Sequence, residues 1–306
     1  MAKSVIFVEH VRKTYGSFVA VHDVSLEVNE GEIFGLIGPN GAGKTTTMEC
    51  VEGIRRPDGG TIRVLGLDPI RDVYALQERI GVQLQQAQLQ KRIKVWEAVH
   101  LWASLYGKKA EVGEQFLEQL GLAEKRNAWF MTLSGGQKQR LFIALALIND
   151  PEVVFLDELT TGLDPQARHA IWELVRGIRT RGKTVFLTTH LMEEAERLCD
   201  RVAIIEYGRI IDSGAPSELV DRHCPARRVV LSTDAADAAE HFARIPNVVG
   251  VERKDSSYSL DGNGDDFVSA VIDCLSAHQM HVSSFRTVLP TLEDVFLKLT
   301  GHSIRD

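Results

Sequence analysis

The chain has 306 residues, of which 44% are hydrophobic and 25% are charged, and its formal net charge is −7 at pH 7. These values are typical of a folded globular protein with one large domain and one small domain. The acidic balance argues against a broad basic surface, so we expect no nucleic-acid partner. The apolar run 141–148 is far too short to cross a membrane, and no secretory signal is visible, which together predict a cytoplasmic protein.

The first thirty residues contain three apolar runs, 5–8, 18–21 and 24–28, which predict strands. The stretch 13–16 between them predicts a turn. Tyr15 lies in this stretch, where an aromatic ring either stacks on a flat base or fills the core. The residues alone leave both possibilities open.

Residues 38–46 read Gly-Pro-Asn-Gly-Ala-Gly-Lys-Thr-Thr and fit the phosphate-binding pattern G-x-x-x-x-G-K-[ST]. An apolar run of strand length, 32–37, precedes this loop and a helical pattern follows it, which disfavours an ordinary glycine-rich turn. Glycines let successive backbone N–H groups converge on an anion, and the start of a helix attracts the same charge. Lys44 adds a full positive charge, and Thr45 supplies a hydroxyl of the kind that ligates Mg²⁺.

A second anion-binding helix start is predicted at Leu-Ser-Gly-Gly-Gln, residues 133–137. Ser134 on its own is equally typical of an ordinary helix N-cap. The surrounding helical pattern, from about 88 to 148, predicts a helical subdomain.

Two carboxylates follow the apolar run 153–156, which is typical of a buried parallel strand. The carboxyl end of such a strand is where open α/β sheets bind ligands, so we expect Asp157 to hold Mg²⁺. Glu158 is the candidate to polarise the attacking water. His190 ends the strand 183–189 and is expected to contact the γ-phosphate, whereas Asp164 with the following proline suits the start of a helix.

The remainder of the chain predicts a separate small domain. We place the domain that carries the motifs above at 1–222 and an α+β accessory domain at 223–306. Within the accessory domain the patterns predict a ferredoxin-like βαββαβ unit with a terminal helix. The predicted elements are strands 228–232, 248–253, 257–261 and 281–287 and helices 234–243, 265–277 and 291–299. We expect a regulatory or dimer-contacting role for this domain.

Taken in order, these motifs resemble the ATPase subunit of ATP-binding cassette (ABC) transporters over residues 4–220. The phosphate loop alone is shared with kinases and GTPases, whereas Leu-Ser-Gly-Gly-Gln is peculiar to the ABC family. The resemblance implies an α/β P-loop NTPase fold with an antiparallel β subdomain and a helical subdomain, and it implies ATP and Mg²⁺ as ligands.

The resemblance also implies roles for individual residues. Tyr15 would stack on adenine, Glu158 would be the general base, and His190 would contact the γ-phosphate. The residues expected to hold the phosphates are Gly38, Asn40, Gly41, Gly43, Lys44, Thr45 and Thr46. Those expected around Mg²⁺ are Thr45, Gln85 and Asp157. Those expected to meet a nucleotide on a second copy are Ser134, Gly136, Gln137 and Asp164.

The match has one departure and one extension. The family commonly has proline directly after the catalytic glutamate, where this chain has Leu159. Loss of that fixed φ could loosen the loop toward Asp164. The C-terminal stretch 289–296 is similar to the tail of the drug-resistance and sodium-extrusion branch of type 2 ABC exporters.

The leading hypothesis is therefore an ATPase subunit that drives export through a separate membrane permease. We expect it to act as one of two identical subunits at the inner face of the cell membrane. The alternative is an ABC-type ATPase that acts on ribosomes or nucleic acid, which the acidic balance disfavours. A small-molecule kinase would need an acceptor pocket that the motif at 133–137 does not supply.

Overall fold

The computed structural model describes residues 3–83, 88–235, 237–264 and 266–302. Contacts divide the chain into two compact units between Pro216 and Ser217. The sequence places the domain boundary at residue 222, and the limits of the functional domains stay a prediction. In the described ranges, no helix combines the length and apolarity needed to span a bilayer.

The N-terminal unit alternates strands and helices. Its strands are β1 Ser4–Tyr15, β2 Phe18–Asn29, β3 Ile33–Ile37, β4 Gly59–Val64, β5 Ile80–Gln83, β6 Val153–Asp157, β7 Thr184–Thr189, β8 Arg201–Glu206 and β9 Arg209–Gly214. Its helices are α1 Lys44–Val51, α2 Val73–Gln77, α3 Val95–Leu105, α4 Ala110–Gln119, α5 Gly135–Leu147, α6 Pro165–Thr180 and α7 Met192–Leu198, with 3₁₀ turns at Ala123–Lys125 and Phe130–Thr132.

One nine-stranded sheet organises this unit, in the order β4-β1-β2-β9-β8-β3-β7-β6-β5. The strands from β8 to β5 are parallel, and every residue of β3, β6 and β7 is buried, as expected for strands covered on both faces. Their carboxyl ends meet at one edge, where Ile37 pairs with Thr189 and Asp157 pairs with Thr188. The predicted α/β class is confirmed, and this edge is where the site lies.

The antiparallel β subdomain differs from the prediction in two details. The predicted strands 18–21 and 24–28 form one continuous strand, β2. The predicted turn over 13–16 is instead strand as far as Tyr15, which pairs with Phe18 across a turn at Gly16. Polar residues interrupt the alternation of apolar and polar positions in β1, and the pairing register between β1 and β2 is irregular at these points. His10 lies at one of the irregularities and has a φ of 50°. The two aromatic rings consequently stand together at the hairpin tip.

The helical subdomain has a core of its own, built from α3, α4 and α5. Its fully buried residues come from the apolar faces of the three helices and from the segment before α5. They include Val95, Val99, Ala103, Leu117, Leu122, Leu141 and Ile148.

The C-terminal unit contains the predicted ferredoxin-like order of elements. They are β10 Arg227–Thr233, α9 Ala238–Ala243, β11 Val248–Lys254, β12 Ser257–Gly262, α10 Phe267–Ala277, β13 Val282–Val288 and α11 Leu292–Thr300. Helix α8 Pro216–His223, which is not part of the predicted unit, precedes them. The sheet order is β11-β12-β10-β13 with antiparallel pairing throughout. Alternate residues of β10 and β12 pack against α9 and α10 in a core that includes Leu231, Phe242 and Phe267.

Candidate functional site

The phosphate loop connects the buried strand β3 to helix α1. Gly41 and Gly43 have φ values of 82° and 102°, in the left-handed region that favours glycine. A Cβ at Gly38 would overlap the carbonyl oxygen of Ile205, and one at Gly43 would overlap that of Ala20. Glycine is therefore required at positions 41 and 43 by the backbone conformation, and at positions 38 and 43 by the close approach of backbone atoms from other segments.

Lys44 begins α1 and is buried, with only 4% of its surface exposed. Its Nζ donates to the carbonyl oxygens of Gly38 and Pro39 at 2.8 and 2.9 Å and lies 3.8 Å from Glu158 Oε1. Burial lowers the pKa of this ammonium group, against the opposing effect of the Glu158 and Asp157 carboxylates. The loop thus holds a desolvated positive charge at its mouth.

Asp157 ends β6 and is buried next to the start of α1. Its Oδ1 lies 3.5 Å from Thr45 Oγ1 and accepts a short hydrogen bond from Thr188 Oγ1. Burial is the main cause of the raised pKa of this carboxyl group, and the bonds from Thr188 and Thr45 oppose it. A carboxylate and a hydroxyl at this separation are hard oxygen donors of the type that suits Mg²⁺. The sequence did not single out Thr188, which holds Asp157 from the neighbouring strand.

Glu158 and His190 meet at the same edge of the sheet. Glu158 Oε1 lies 3.5 Å from His190 Nδ1 as well as near the lysine ammonium. Glu158 has a φ of 47°, unusual for a residue with a side chain, and its N–H points back to the Thr188 carbonyl and hydroxyl oxygens, both at 3.2 Å. This turn aims the carboxylate at the loop mouth rather than along the strand.

A cleft of about 360 Å³ opens beside the phosphate loop. Asn40, Thr46 and Glu158 line it together with both aromatic residues of the hairpin tip, Tyr15 and Phe18. The exposed fraction is 40% for Tyr15 and 62% for Phe18, so neither ring is a core residue. The structure thus excludes a core position for Tyr15, whose stacking on adenine stays a prediction. Phe18, which the sequence analysis treated only as part of an apolar strand, lines the same cleft.

The motif at 133–137 forms a capped helix start. Ser134 Oγ accepts from Gln137 N at 3.3 Å, and Gln137 Oε1 accepts from Ser134 N at 3.0 Å, so the ordinary N-cap function is present. Both Ser134 and Gly135 are exposed. Among the described residues that line the cleft, none comes from this motif. The two predicted anion sites of one chain therefore do not share a cleft.

Two further predicted residues remain. Asp164 caps α6, because its Oδ1 accepts from Ala167 N at 2.9 Å, and Pro165 occupies the first helical position as predicted. A Cβ at Gly136 would lie 3.0 Å from Ala167 Cβ, so the starts of α5 and α6 are close. Gln85 lies outside the described residues, and its place around Mg²⁺ stays a prediction.

The parallel sheet, the phosphate loop and the acidic strand end define a P-loop ATPase. A family model described as ABC transporter matches residues 21–161, and one described as ATP-binding protein DrrA1-3-like, C-terminal domain, matches residues 214–300. The chain belongs to the ABC transporter family of ATP-binding subunits. Such subunits bind ATP, dimerise and pair with a membrane permease.

The similarity to known relatives extends over the whole chain. The Nod factor export ATP-binding protein I of Paraburkholderia xenovorans is 40% identical over 314 residues, covering 100% of each chain. The protein of the same name from Bradyrhizobium diazoefficiens is 39% identical over 310 residues, covering 99% of each.

Solved structures also resemble this chain over part of its length. cbiO1 from Clostridium perfringens, part of the ABC transporter complex cbiONQ, is 27% identical with a TM-score of 0.65, covering 73% of this chain and 96% of that one. A bacterial ABC transporter cassette solved as a dimer is 26% identical with a TM-score of 0.62, covering 69% and 98%.

Proposed function

We propose that this chain hydrolyses ATP in a site shared by two copies and thereby drives export through a separate membrane permease. The observation that carries the proposal is the meeting of three charged or polar groups at the mouth of the phosphate loop. Lys44 Nζ and His190 Nδ1 lie 3.8 and 3.5 Å from the same Glu158 oxygen. A buried carboxylate held between two nitrogen groups beside an anion-binding loop is suited to orient an attacking water.

Each of the three groups has a distinct part in the reaction. The loop amides and Lys44 bind the phosphates and offset the charge that develops on the transferred group. Glu158 orients the water and accepts its proton as the bond to the ADP leaving group breaks. His190 contacts the γ-phosphate and keeps Glu158 directed at the water.

Mg²⁺ fits the oxygen donors beside the loop. Asp157 and the Thr45 hydroxyl would hold the ion, and Gln85 is the further ligand that the family pattern predicts. When bound, the ion would neutralise charge on the phosphate oxygens. Thr188 keeps the Asp157 carboxylate in place from the adjacent strand.

The second half of the site would come from another copy of the chain. Ser134 lies at the exposed start of α5, outside the cleft that holds the phosphate loop. The start of a helix attracts an anion, and the nucleotide of a facing copy supplies one. The dimeric relative supports this pairing. Asp164, at the neighbouring helix start, would cross the same interface, and Gly136 and Gln137 would join Ser134 at the nucleotide.

Export is the direction that the relatives favour, because full-length proteins that match both parts of this chain are named for export. We therefore place the chain at the inner face of the cell membrane, bound there by its permease. The same relatives give no support to the alternative of an ATPase that acts on ribosomes or nucleic acid.

Glu158→Gln tests the catalytic part of the proposal. We expect loss of at least about a hundredfold in kcat, because the amide cannot accept the proton, with ATP binding retained. The variant should accumulate as an ATP-bound dimer in size-exclusion chromatography. Glu193→Gln on α7 is the matched control, since this side chain is half exposed and pairs with Arg197. Normal turnover by Glu158→Gln would refute the role of Glu158.

A mixing experiment tests the shared site. Lys44→Met disables the phosphate loop of one copy and Ser134→Arg blocks the helix start of another. Only a mixed dimer restores one intact pairing of loop and helix start. The mixture should therefore hydrolyse ATP faster than the sum of the two separate variants. A mixture as inactive as its components would contradict a site built from two copies.

A further inference from the structure

A buried carboxylate joins two elements of the catalytic site without facing it. Glu194 lies in the first turn of α7, four residues after His190, and only 1% of its surface is exposed. Its Oε1 accepts from Thr160 Oγ1 at 2.8 Å and from Trp172 Nε1 at 3.0 Å. Glutamate is rarely buried to this extent unless it is paired, so these two bonds explain its presence in the core.

Thr160 is the link between this carboxylate and the reacting groups. It is fully buried in the loop that runs from Glu158 to Asp164. The Thr161 N–H donates to the Glu158 carbonyl at 3.4 Å, and the Leu163 N–H donates to the Thr160 carbonyl at 3.2 Å. Two successive turns therefore meet at Thr160, and fixing this residue restrains both ends of the loop.

The loop needs such a restraint. Glu158 adopts a φ of 47°, which a residue with a side chain keeps only where its surroundings enforce it. On one side the Thr188 carbonyl and hydroxyl oxygens hold the Glu158 N–H. On the other side Leu159 is buried but lacks the fixed φ of a proline. The bond from Thr160 to Glu194 is the next polar contact along the chain.

We propose that Glu194 is a positioning residue for ATP hydrolysis. Through Thr160 it holds the loop from Glu158 to Asp164 against the helix that follows His190, so that both catalytic side chains keep their mutual geometry. The proposal rests on the proposed roles of Glu158 and His190. It assigns to Glu194 no contact with the nucleotide.

The two donors to Glu194 provide a matched pair of variants. Thr160→Val removes the donor on the catalytic loop without changing the size of the side chain. Trp172→Phe removes the donor on α6 and keeps an aromatic ring. We expect Thr160→Val to lower kcat about tenfold with the KM for ATP changed less than twofold, because a small misplacement of the base slows the chemical step. Trp172→Phe should keep kcat within twofold of the parent.

Thr160→Ser, which restores the hydroxyl, should recover kcat. Thr160→Val and Trp172→Phe each remove one hydrogen bond to the same Glu194 oxygen. Thermal unfolding of every variant therefore shows how much of a change in kcat comes from lost stability and how much from lost positioning. If Thr160→Val does not fold, Thr160→Ala removes the same hydroxyl from a smaller side chain. Equal effects of the loop and α6 variants on kcat, or no effect of either, would overturn the proposal.

Failure of the proposed function gives a different result. If the general base is not Glu158, Glu158→Gln retains turnover whatever Thr160→Val does. If Glu158→Gln is inactive and Thr160→Val hydrolyses ATP at the parental rate, the role of Glu158 as general base is supported and the positioning role of Glu194 is refuted. All measurements use the full chain with ATP and Mg²⁺.

Discussion

The buried ammonium of Lys44 has opposite effects on stability and on ATP binding, and Lys44→Met separates them. In the protein the ammonium lies 3.8 Å from the Glu158 carboxylate, an attraction of about 4 kcal/mol at an effective dielectric of about 20, before desolvation is counted. Burial nevertheless lowers its pKa, which means that desolvation outweighs this attraction. The charge is therefore held at a cost in the folded chain.

ATP reverses this balance because it brings several negative charges to the same position. A phosphate oxygen at about 3 Å attracts the ammonium by roughly 5 kcal/mol on the same scale, part of which is lost to desolvation of the phosphate. A net loss of about 2 to 3 kcal/mol corresponds to ATP binding that is weaker by about 30- to 150-fold. Methionine is similar in length, so the core beneath the loop should stay packed.

Isothermal titration with ATP and thermal unfolding without nucleotide are the two measurements. We expect the large loss in ATP affinity together with a melting temperature within a few degrees of the parent. Lys183→Met is the matched control, because Lys183 pairs with Asp150 away from the loop and should leave ATP binding unchanged. A strongly destabilised Lys44→Met that binds ATP normally would refute this reasoning.

Two further predictions concern the hairpin tip and the acid stability of the β subdomain. Phe18→Ala should weaken ATP binding about tenfold in the same titration, because stacking of a base on an aromatic ring contributes about 1–3 kcal/mol. Tyr74→Ala, which removes another exposed aromatic ring, should leave ATP binding unchanged. If Phe18→Ala binds ATP as tightly as the parent, Phe18 is not part of the site. Asp58 accepts from Lys13 Nζ at 2.8 Å and Thr14 N at 2.7 Å, and these bonds lower its pKa. Its stabilising effect is therefore present above the unfolded pKa of about 4 and is lost as the pH falls through the lower folded value. Asp58→Asn should therefore have a lower melting temperature than the parent at pH 7, and this difference should become smaller below about pH 4. A difference in melting temperature that does not vary with pH would contradict the role of Asp58.

Much of the fold follows from local patterns. The burial of β3, β6 and β7 can be predicted from their continuous apolar runs, because strands covered on both faces carry apolar residues at successive positions. The C-terminal unit shows alternation and capping signals strong enough to predict its order of elements. The long strand β1 was harder, because irregular register around His10 breaks the alternation that a sequence pattern relies on.

The phosphate loop is equally local, since strand, glycines, lysine and helix are consecutive and each residue acts through its own backbone. Which side chains meet across the sheet is a different matter. Thr45 and Asp157 lie 112 positions apart, and their proximity depends on the strand order β3-β7-β6. The order of the motifs predicted the roles of Lys44, Glu158 and His190, and those roles stay proposals. The three groups lie close together because of the order of the strands in the sheet.

The sequence by itself determined the phosphate loop, the buried parallel strands and the family to which the chain belongs, because those features are written in consecutive residues. Only the tertiary structure decided that Phe18 joins Tyr15 at the cleft, that Thr188 holds Asp157, and that Glu194 is bound to Thr160. Phe18 in an apolar run and glutamate in a charged helix look ordinary in sequence. Their partners are brought to them by strand pairing and helix packing, which residue patterns do not encode.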